Sequence, residues 1–556
     1  MQVNPPVHEL NPRQKEAVRY IDGPLLVLAG AGSGKTRVIT RKIAYLIQQC
    51  GISARNIAAV TFTNKAAREM KERVGELLRG REGHGLRVST FHTLGLDIVR
   101  KELKTLGYKP GFSIYDAQDS GALIRELLRR DAGDTDFEKE MQWRISRWKS
   151  ALVTPEEALV EAADPPEHAA ARLYVEYNRH LKAYNAVDFD DLIMLPVRLF
   201  ADHPEILEKW QNRIRYLLVD EYQDTNATQY RLVRQLVGTR GALTVVGDDD
   251  QSIYAWRGAQ PENLALLKED FPGLKVIKLE QNYRSMGRIL KAANQLIGHN
   301  PHVFDKRLWS EMGYGDPISV INTKNEEHEA EKVVSDLVHH RFRHRTRYSD
   351  YAILYRGNHQ SRLFERALRE QRIPYQLSGG TSFFSHTEVK DVMAYLRLLV
   401  NPDDDNAFLR VVNTPRREIG PSTLEKLADY ASMRGISLFA AGFEMGLEQH
   451  LNARAVDRLR RFGEWLVDIG DRSRRGDMMA AVRDMVREID YEMWLQDNCK
   501  DLKAAERRMQ NVHDLIAWLG RMAEQDEGEP GLDELVSKMA LLDILDRQNE
   551  EGGGDC

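Results

Sequence analysis

PLLVLAGAGSGKTRVITRKIAYLIQ, residues 24–48, decides how the rest of the chain is read. An apolar run, PLLVLA at 24–29, stops at a turn carrying Gly30, Gly32 and Gly34. Lys35 and Thr36 then open a stretch with helical periodicity that runs to about residue 48. The order is strand, Gly-rich loop, helix. Glycines let backbone N–H groups turn inward around an anion, and the helix N-terminus adds partial positive charge. Ala29, Gly30, Ala31, Gly32, Ser33, Gly34, Lys35 and Thr36 are therefore candidates for a phosphate cradle. In such a loop the Lys reaches the β/γ-phosphates and the hydroxyl holds Mg²⁺. The strict pattern begins with Gly, and Ala29 stands there instead. A Gly-rich turn without ligand is the bland rival, and the full strand–loop–Lys–Thr–helix context argues against it.

Other apolar runs repeat the strand signal: IAAVTF (57–62), IRYLLVD (214–220) and ALTVVG (242–247). Alternating with helical segments, they predict a parallel sheet covered on both faces. The expected fold class is α/β with two parallel-sheet domains, the first carrying the P-loop and the second incomplete, each with a helical insertion. Residues 1–90 and 191–278 make the first sheet domain, and 91–190, where helical patterning dominates, an all-helical insertion. LKVIKL (274–279), ISVINT (318–323) and YAILYR (351–356) are expected to be strands of a second parallel sheet, with EEHEAEKVVSDLVHHRF a helix between them. Residues 279–378 form that second domain, 379–545 a second helical insertion, and 546–556, ending RQNEEGGGDC, a flexible loop. Three strands are too few for a doubly wound sheet, so the chain is expected to be cut before its remaining strands.

Two acidic motifs sit at strand ends. VDEYQDT (219–225) ends a buried strand in Asp220 and Glu221. Asp220 is a candidate to bind Mg²⁺ through water, and Glu221 to orient and deprotonate an attacking water. Capping of the next helix would explain one carboxylate, not a pair at the edge where open parallel sheets bind ligands. VVGDDDQSIYAWRGA (245–259) packs three carboxylates, Gln251, Tyr254, Trp256 and Arg257 behind another apolar run. Gln251 and Trp256 can lie up to roughly 17 Å apart in an extended chain. The segment can therefore reach two sites at once.

With LEQNYRS (279–285) and LNPRQKEAV (10–18) in order, the sequence resembles superfamily 1 DNA helicases of the UvrD/Rep type. AAVTFTNKAAREMKERVG (58–75) and STFHTLGLDI (89–98) are similar to the Rep branch in particular. DFDDLI (188–193) and GGTSFFS (379–385) also match family motifs, with Gly379 and Gly380 as candidate hinges and Phe383 and Phe384 as ordinary core. The resemblance implies two RecA-like domains and an ATP-dependent 3′→5′ helicase, or single-stranded DNA translocase, of replication and fork restart.

The resemblance also implies the roles. Gln14 reads the adenine edge and Tyr283 stacks on the base. Arg284 is an arginine finger on the γ-phosphate, Arg37 assists at the nucleotide, and Gln251 senses the γ-phosphate. Trp256, with Tyr254 and Arg257, stacks on a base of single-stranded DNA. Phe62, Thr63, Asn64, Thr90, Phe91 and His92 continue the DNA track. The implied ligands are ATP and Mg²⁺. The implied partners are single-stranded DNA, duplex and fork junctions, and replication proteins, with the protein a monomer or a dimer formed on DNA. Related proteins continue with segments like TLHASKGLE and YVGITRA, the latter bearing another phosphate-contacting Arg. Neither occurs here, so C-terminal truncation and impaired activity are expected. The alternatives are a non-motor ATP-binding protein, a passive single-strand-binding module and a helicase–nuclease fusion.

Composition sets outer limits. At 556 residues several domains are expected. A net charge of −5 argues against a histone-like coat but leaves room for a local basic groove. Cys50, Cys499 and Cys556 have no CxxC spacing, which fits a reducing cytoplasm and no metal cage. The N-terminal residues lack the apolar core of a signal peptide, and no apolar run is long enough for a membrane helix.

Overall fold

The structure is a computed structural model that describes residues 10–130, 137–253, 259–260, 262–300, 304–377, 383–525 and 530–551. The first element among the described residues is α1 (Pro12–Arg19), whose N-terminus is closed by a reciprocal cap between Asn11 and Gln14. Then come β1 (Leu25–Ala29), α2 (Lys35–Gln48), β2 (Ile57–Thr61), α3 (Asn64–Leu77), β3 (Arg87–Thr90) and α4 (Phe91–Lys101). After them follow β4 (Ser113–Tyr115), β5 (Ala186–Asp188), β6 (Tyr216–Val219), β7 (Leu243–Gly247) and β8 (Lys275–Leu279). Six strands form one parallel sheet in the order β3-β2-β6-β7-β1-β8.

The central strands are buried along their whole length because helices cover both faces. Leu26, Leu28, Val60 and Val219 feed one apolar layer with Phe91, Leu94 and Ile98 of α4. Leu25, Val27, Ile57 and Leu218 feed the other, with Val38, Ile39 and Ile43 of α2. The period-2 alternation of a strand divides each sequence run between the two layers.

Four expectations change. LKVIKL joins the first sheet as β8, its residues paired in register with β1 from Leu25↔Lys275 to Ala29↔Leu279. ISVINT and YAILYR form no ladder among the described residues. Val320 is 86% and Leu354 72% exposed, and a strand without a hydrogen-bonded neighbour is not held as one. The 91–190 region is mostly helical but contains the parallel pair β4–β5, from Ser113↔Ala186 to Tyr115↔Asp188. Residues 546–551, expected to be loop, continue the helix Leu532–Glu551, since no Gly or Pro interrupts the segment before Gly552. Gly379 and Gly380 lie outside the described residues.

The large helical region, from Thr387–Val400 to Leu532–Glu551, has its own core, with Phe384 buried in it against Trp518 at 5.2 Å. It is docked on the base of the smaller helical region. Arg397 donates to Asp404 (2.8 Å) and Asp119 (2.7 Å), while Ser113 and Asn401 are hydrogen-bonded at 3.0 Å.

Lys42 on α2 ties the first two helices together. It is fully buried and donates to the carbonyls of Ala17 (2.9 Å) and Tyr20 (2.5 Å) at the end of α1. Burial pushes its pKa down to about 7. Lys42→Met keeps the bulk and removes the donor from two carbonyls. A loss of about 1–3 kcal/mol is expected, since buried acceptors are left unpaired. Urea melting checks this, and an unshifted midpoint contradicts it.

Candidate functional site

The site forms at the carboxyl edge of the sheet, where β1, β6 and β7 end side by side. β1 runs into the glycine turn, and α2 starts at Lys35. Gly32 and Gly34 have φ of +70° and +88°, a left-handed backbone that a Cβ would strain. The turn is also tightly surrounded. A Cβ on Gly32 would lie 2.5 Å from Asn282 Nδ2, and one on Gly34 2.8 Å from Gln14 Nε2. Ala29 needs no such freedom: it is the last residue of β1, paired with Leu279 and fully buried.

Asp220 and Glu221 leave the end of β6. Glu221 has φ of +49°, a conformation uncommon for a residue with a Cβ, and this turns its carboxylate toward the glycine turn. Its Oε2 is 2.5 Å from Lys35 Nζ. Asp220 is buried, and burial together with the Glu221 charge pushes its pKa up to about 7 against the pull of Lys35. A buried carboxylate short of positive charge is one that a cation stabilises. Asp220 thus fits a cation such as Mg²⁺, with Thr36 the second residue of α2 beside Lys35, and the glycine turn with Lys35 fits phosphate.

The remaining nucleotide candidates gather around the same turn. Tyr283 N–H donates to Gly32 O (2.9 Å), and Asn282 Nδ2 to Ala31 O (2.6 Å). Arg284 follows with an exposed side chain, its Cβ 2.8 Å from where a Gly32 Cβ would be. Tyr283 Oη donates to Gln281 (2.9 Å) and accepts from Asn11 (2.8 Å). Gln14 is nearly fully buried: Nε2 donates to Ser33 O (2.9 Å) and Oε1 accepts from Asn11 N–H (3.1 Å). Both ends of that amide are committed, so here Gln14 braces the turn. Arg37 is in the first turn of α2, half-buried.

Sequence reading missed Gln223. Its Nε2 donates to Glu221 (3.0 Å) and its Oε1 accepts from Asp248 N–H (2.9 Å), joining the ends of β6 and β7. Within the β7 segment, Gln251 Nε2 donates to Asp248 Oδ2. Its position inside the acidic motif was a signal, but spacing alone does not show which backbone it reaches. Tyr254, Trp256 and Arg257 lie outside the described residues.

The DNA candidates divide. Thr63 follows β2 and Thr90 ends the neighbouring β3, and each hydroxyl caps a helix: Thr63 accepts from Ala66 N–H (3.1 Å) and Thr90 from Thr93 N–H (3.1 Å). Two helix N-termini therefore open at the sheet edge. Asn64 Nδ2 is buried without a hydrogen-bond partner among the described residues. Phe62 is half-buried, edge-on to Phe91 at 5.5 Å. Phe91 itself is core, only 2% exposed among the residues beneath the sheet, so it offers no face to a base. His92 stacks on Phe189 at 3.6 Å, and burial pushes its pKa down to about 3, leaving a neutral ring.

Two models of known protein families match the chain. Residues 10–272 match the UvrD/REP helicase N-terminal domain, and residues 277–552 the UvrD-like helicase C-terminal domain. The chain is 57% identical over 545 residues to the ATP-dependent DNA helicase Rep of Escherichia coli, an alignment covering 98% of this chain and 81% of the relative. It is 40% identical over 550 residues to the ATP-dependent DNA helicase PcrA of Bacillus subtilis, covering 98% and 74%. No helix among the described residues is long and apolar enough to cross a membrane. By these matches and by its α/β architecture, the chain belongs to the UvrD/Rep helicase family.

Proposed function

We propose that this protein is an ATP-dependent DNA helicase that moves 3′→5′ along single-stranded DNA and displaces the partner strand at replication forks. One observation carries the reading: the glycine turn, Asp220, Glu221 and Gln251 share a sheet edge with the N-termini of α3 and α4. A nucleotide and a polynucleotide phosphate backbone can thus occupy adjoining stretches of one edge.

Each residue has a role consistent with its place. Lys35 passes from Glu221 to the β/γ-phosphates, freeing Glu221 to orient and deprotonate water. Arg284 neutralises charge on the transferring phosphoryl group from the second half of the chain. Thr36 and Asp220 hold Mg²⁺, which supplies charge neutralisation at the phosphates. Thr63 and Asn64 with α3, and Thr90 with α4, face the DNA. Closing and reopening around ATP alters two DNA grips in turn, and their differential affinity drives the step. The sheet domain (1–90 and 191–278) carries the hydrolytic groups, and the segment that follows it (279–378) the finger. Helical units at 91–190 and 379–545 flank the DNA.

The test is ATP turnover with and without a single-stranded oligonucleotide, followed by strand displacement on tailed duplexes. Turnover is expected to rise with DNA above its DNA-free value, and whatever strand displacement this chain performs to favour the 3′-tailed over the 5′-tailed duplex. Turnover indifferent to DNA would sink the reading in favour of a non-motor ATPase.

A further inference from the structure

Lys306 lies far along the chain from the sheet edge, yet its side chain is only 4% exposed because it enters the acidic motif after β7. Its Nζ is 2.5 Å from Asp248 and 3.0 Å from Asp250, and it also pairs with Asp249. Carboxylate oxygens of these three residues lie within 4.8 Å of one another. Like charges so close disfavour joint ionisation unless a cation is inserted. Here the cation belongs to the chain. Burial alone would depress the lysine, but the neighbouring carboxylates hold its pKa above the ordinary value.

The segment bearing Lys306 is fixed at both ends. Phe304 N–H donates to Asp249 (3.1 Å). Trp309 N–H donates to Glu280 O (3.1 Å), and Asn282 N–H to Trp309 O (2.8 Å), binding the other end to the irregular segment after β8 that carries Arg284. From the acidic motif two links continue. Asp248 accepts from Gln251, and its N–H reaches Gln223, which donates to Glu221.

We propose that Lys306 is a positioning residue: it locks residues 304–309, and with them the Arg284 segment, to the Gln251 loop. A shift of the second half of the chain is thereby transmitted to the nucleotide sensor and, through Gln223, to Glu221. This rests on the helicase reading for its consequence, but its structural part is measurable without it.

The experiment uses the whole protein with Lys306→Met, Lys306→Arg and the double variant Lys306→Met/Asp250→Asn. Two readouts are taken: amide exchange at Asp248, Gln251 and Ser252 without ligands, and the ratio of DNA-stimulated to DNA-free ATP turnover. Lys306→Met is expected to exchange faster at these amides and to lower the stimulation ratio by about ten-fold, a size that a coupling contact commonly carries. Lys306→Arg keeps the charge and the double variant relieves the repulsion, so each is expected to recover part of both. Unaltered exchange and a ratio within two-fold of the parent in Lys306→Met overturn the proposal, as does a loss that neither companion variant recovers. If the parent shows no stimulation by DNA, the helicase reading fails, and the exchange result alone decides whether Lys306 locks the loop.

Discussion

Glu221→Gln is expected to cut ATP turnover by about 10²–10⁴-fold, the range a general base contributes, while nucleotide still binds. The carboxylate is placed for that role by local backbone strain. Glu221 holds φ at +49°, turning off the end of β6 toward the glycine turn, and Gln223 steadies it at 3.0 Å. Gln preserves size and one acceptor oxygen, so the turn is kept while the base is removed. A second consequence follows from Lys35, whose Nζ lies 2.5 Å from Glu221. In the variant that lysine loses its ion pair and has only phosphate to neutralise it. ATP binding, read with a fluorescent analogue, is therefore expected to be unchanged or tighter. Turnover within about three-fold of the parent would show that proton removal belongs to another group, since even a modest general base contributes more. Lost binding would show that Glu221 shapes the pocket.

The parts of this site that were legible in sequence are those built by neighbours in the chain. The glycine turn reads directly because strand, loop and helix are contiguous, and the phosphate chemistry depends on their succession. β1, β2, β6 and β7 read as apolar runs because both of their faces are covered. Short strands such as Arg87–Thr90 and Ser113–Tyr115 carry too few residues to show a period. ISVINT and YAILYR show the opposite failure: their composition favours strand, but pairing is a property of the neighbour as much as of the segment. Phe91 looked like a stacking platform because aromatics serve bases and cores alike, and only its place beneath the sheet distinguishes them. The lysines were invisible for a different reason. Lys42, Lys149 and Lys306 each find partners by tertiary approach, and a lysine in a helical or loop stretch reads as solvated surface.

Lys149→Met is expected to destabilise the protein by about 3–5 kcal/mol, the cost of breaking a buried ion pair by removing one partner. Lys149 is fully buried in the helix Glu138–Ser150 and contacts Asp188 at 2.6 Å and Asp191 at 2.8 Å. Asp188 ends β5, and Asp191 opens the helix Asp191–Asp202 that packs back against α4 and the sheet. Thr228 adds a bond to the Lys149 carbonyl at 3.2 Å, from the helix that follows Glu221. One ammonium therefore holds the smaller helical region to the sheet domain. Burial and Asp188 already push the Asp191 pKa up to about 6 despite the cation. Without the cation it must rise further. A carboxyl whose folded pKa exceeds its unfolded one stabilises at low pH, and that contribution is lost as pH rises through the folded value. The deficit of Lys149→Met against the parent should thus be larger at about pH 8 than at about pH 5. Urea unfolding at both values decides it. A deficit that does not grow with pH would mean that the lysine acts through its bulk, and that the carboxylates are relieved by water or a counter-ion once it is gone.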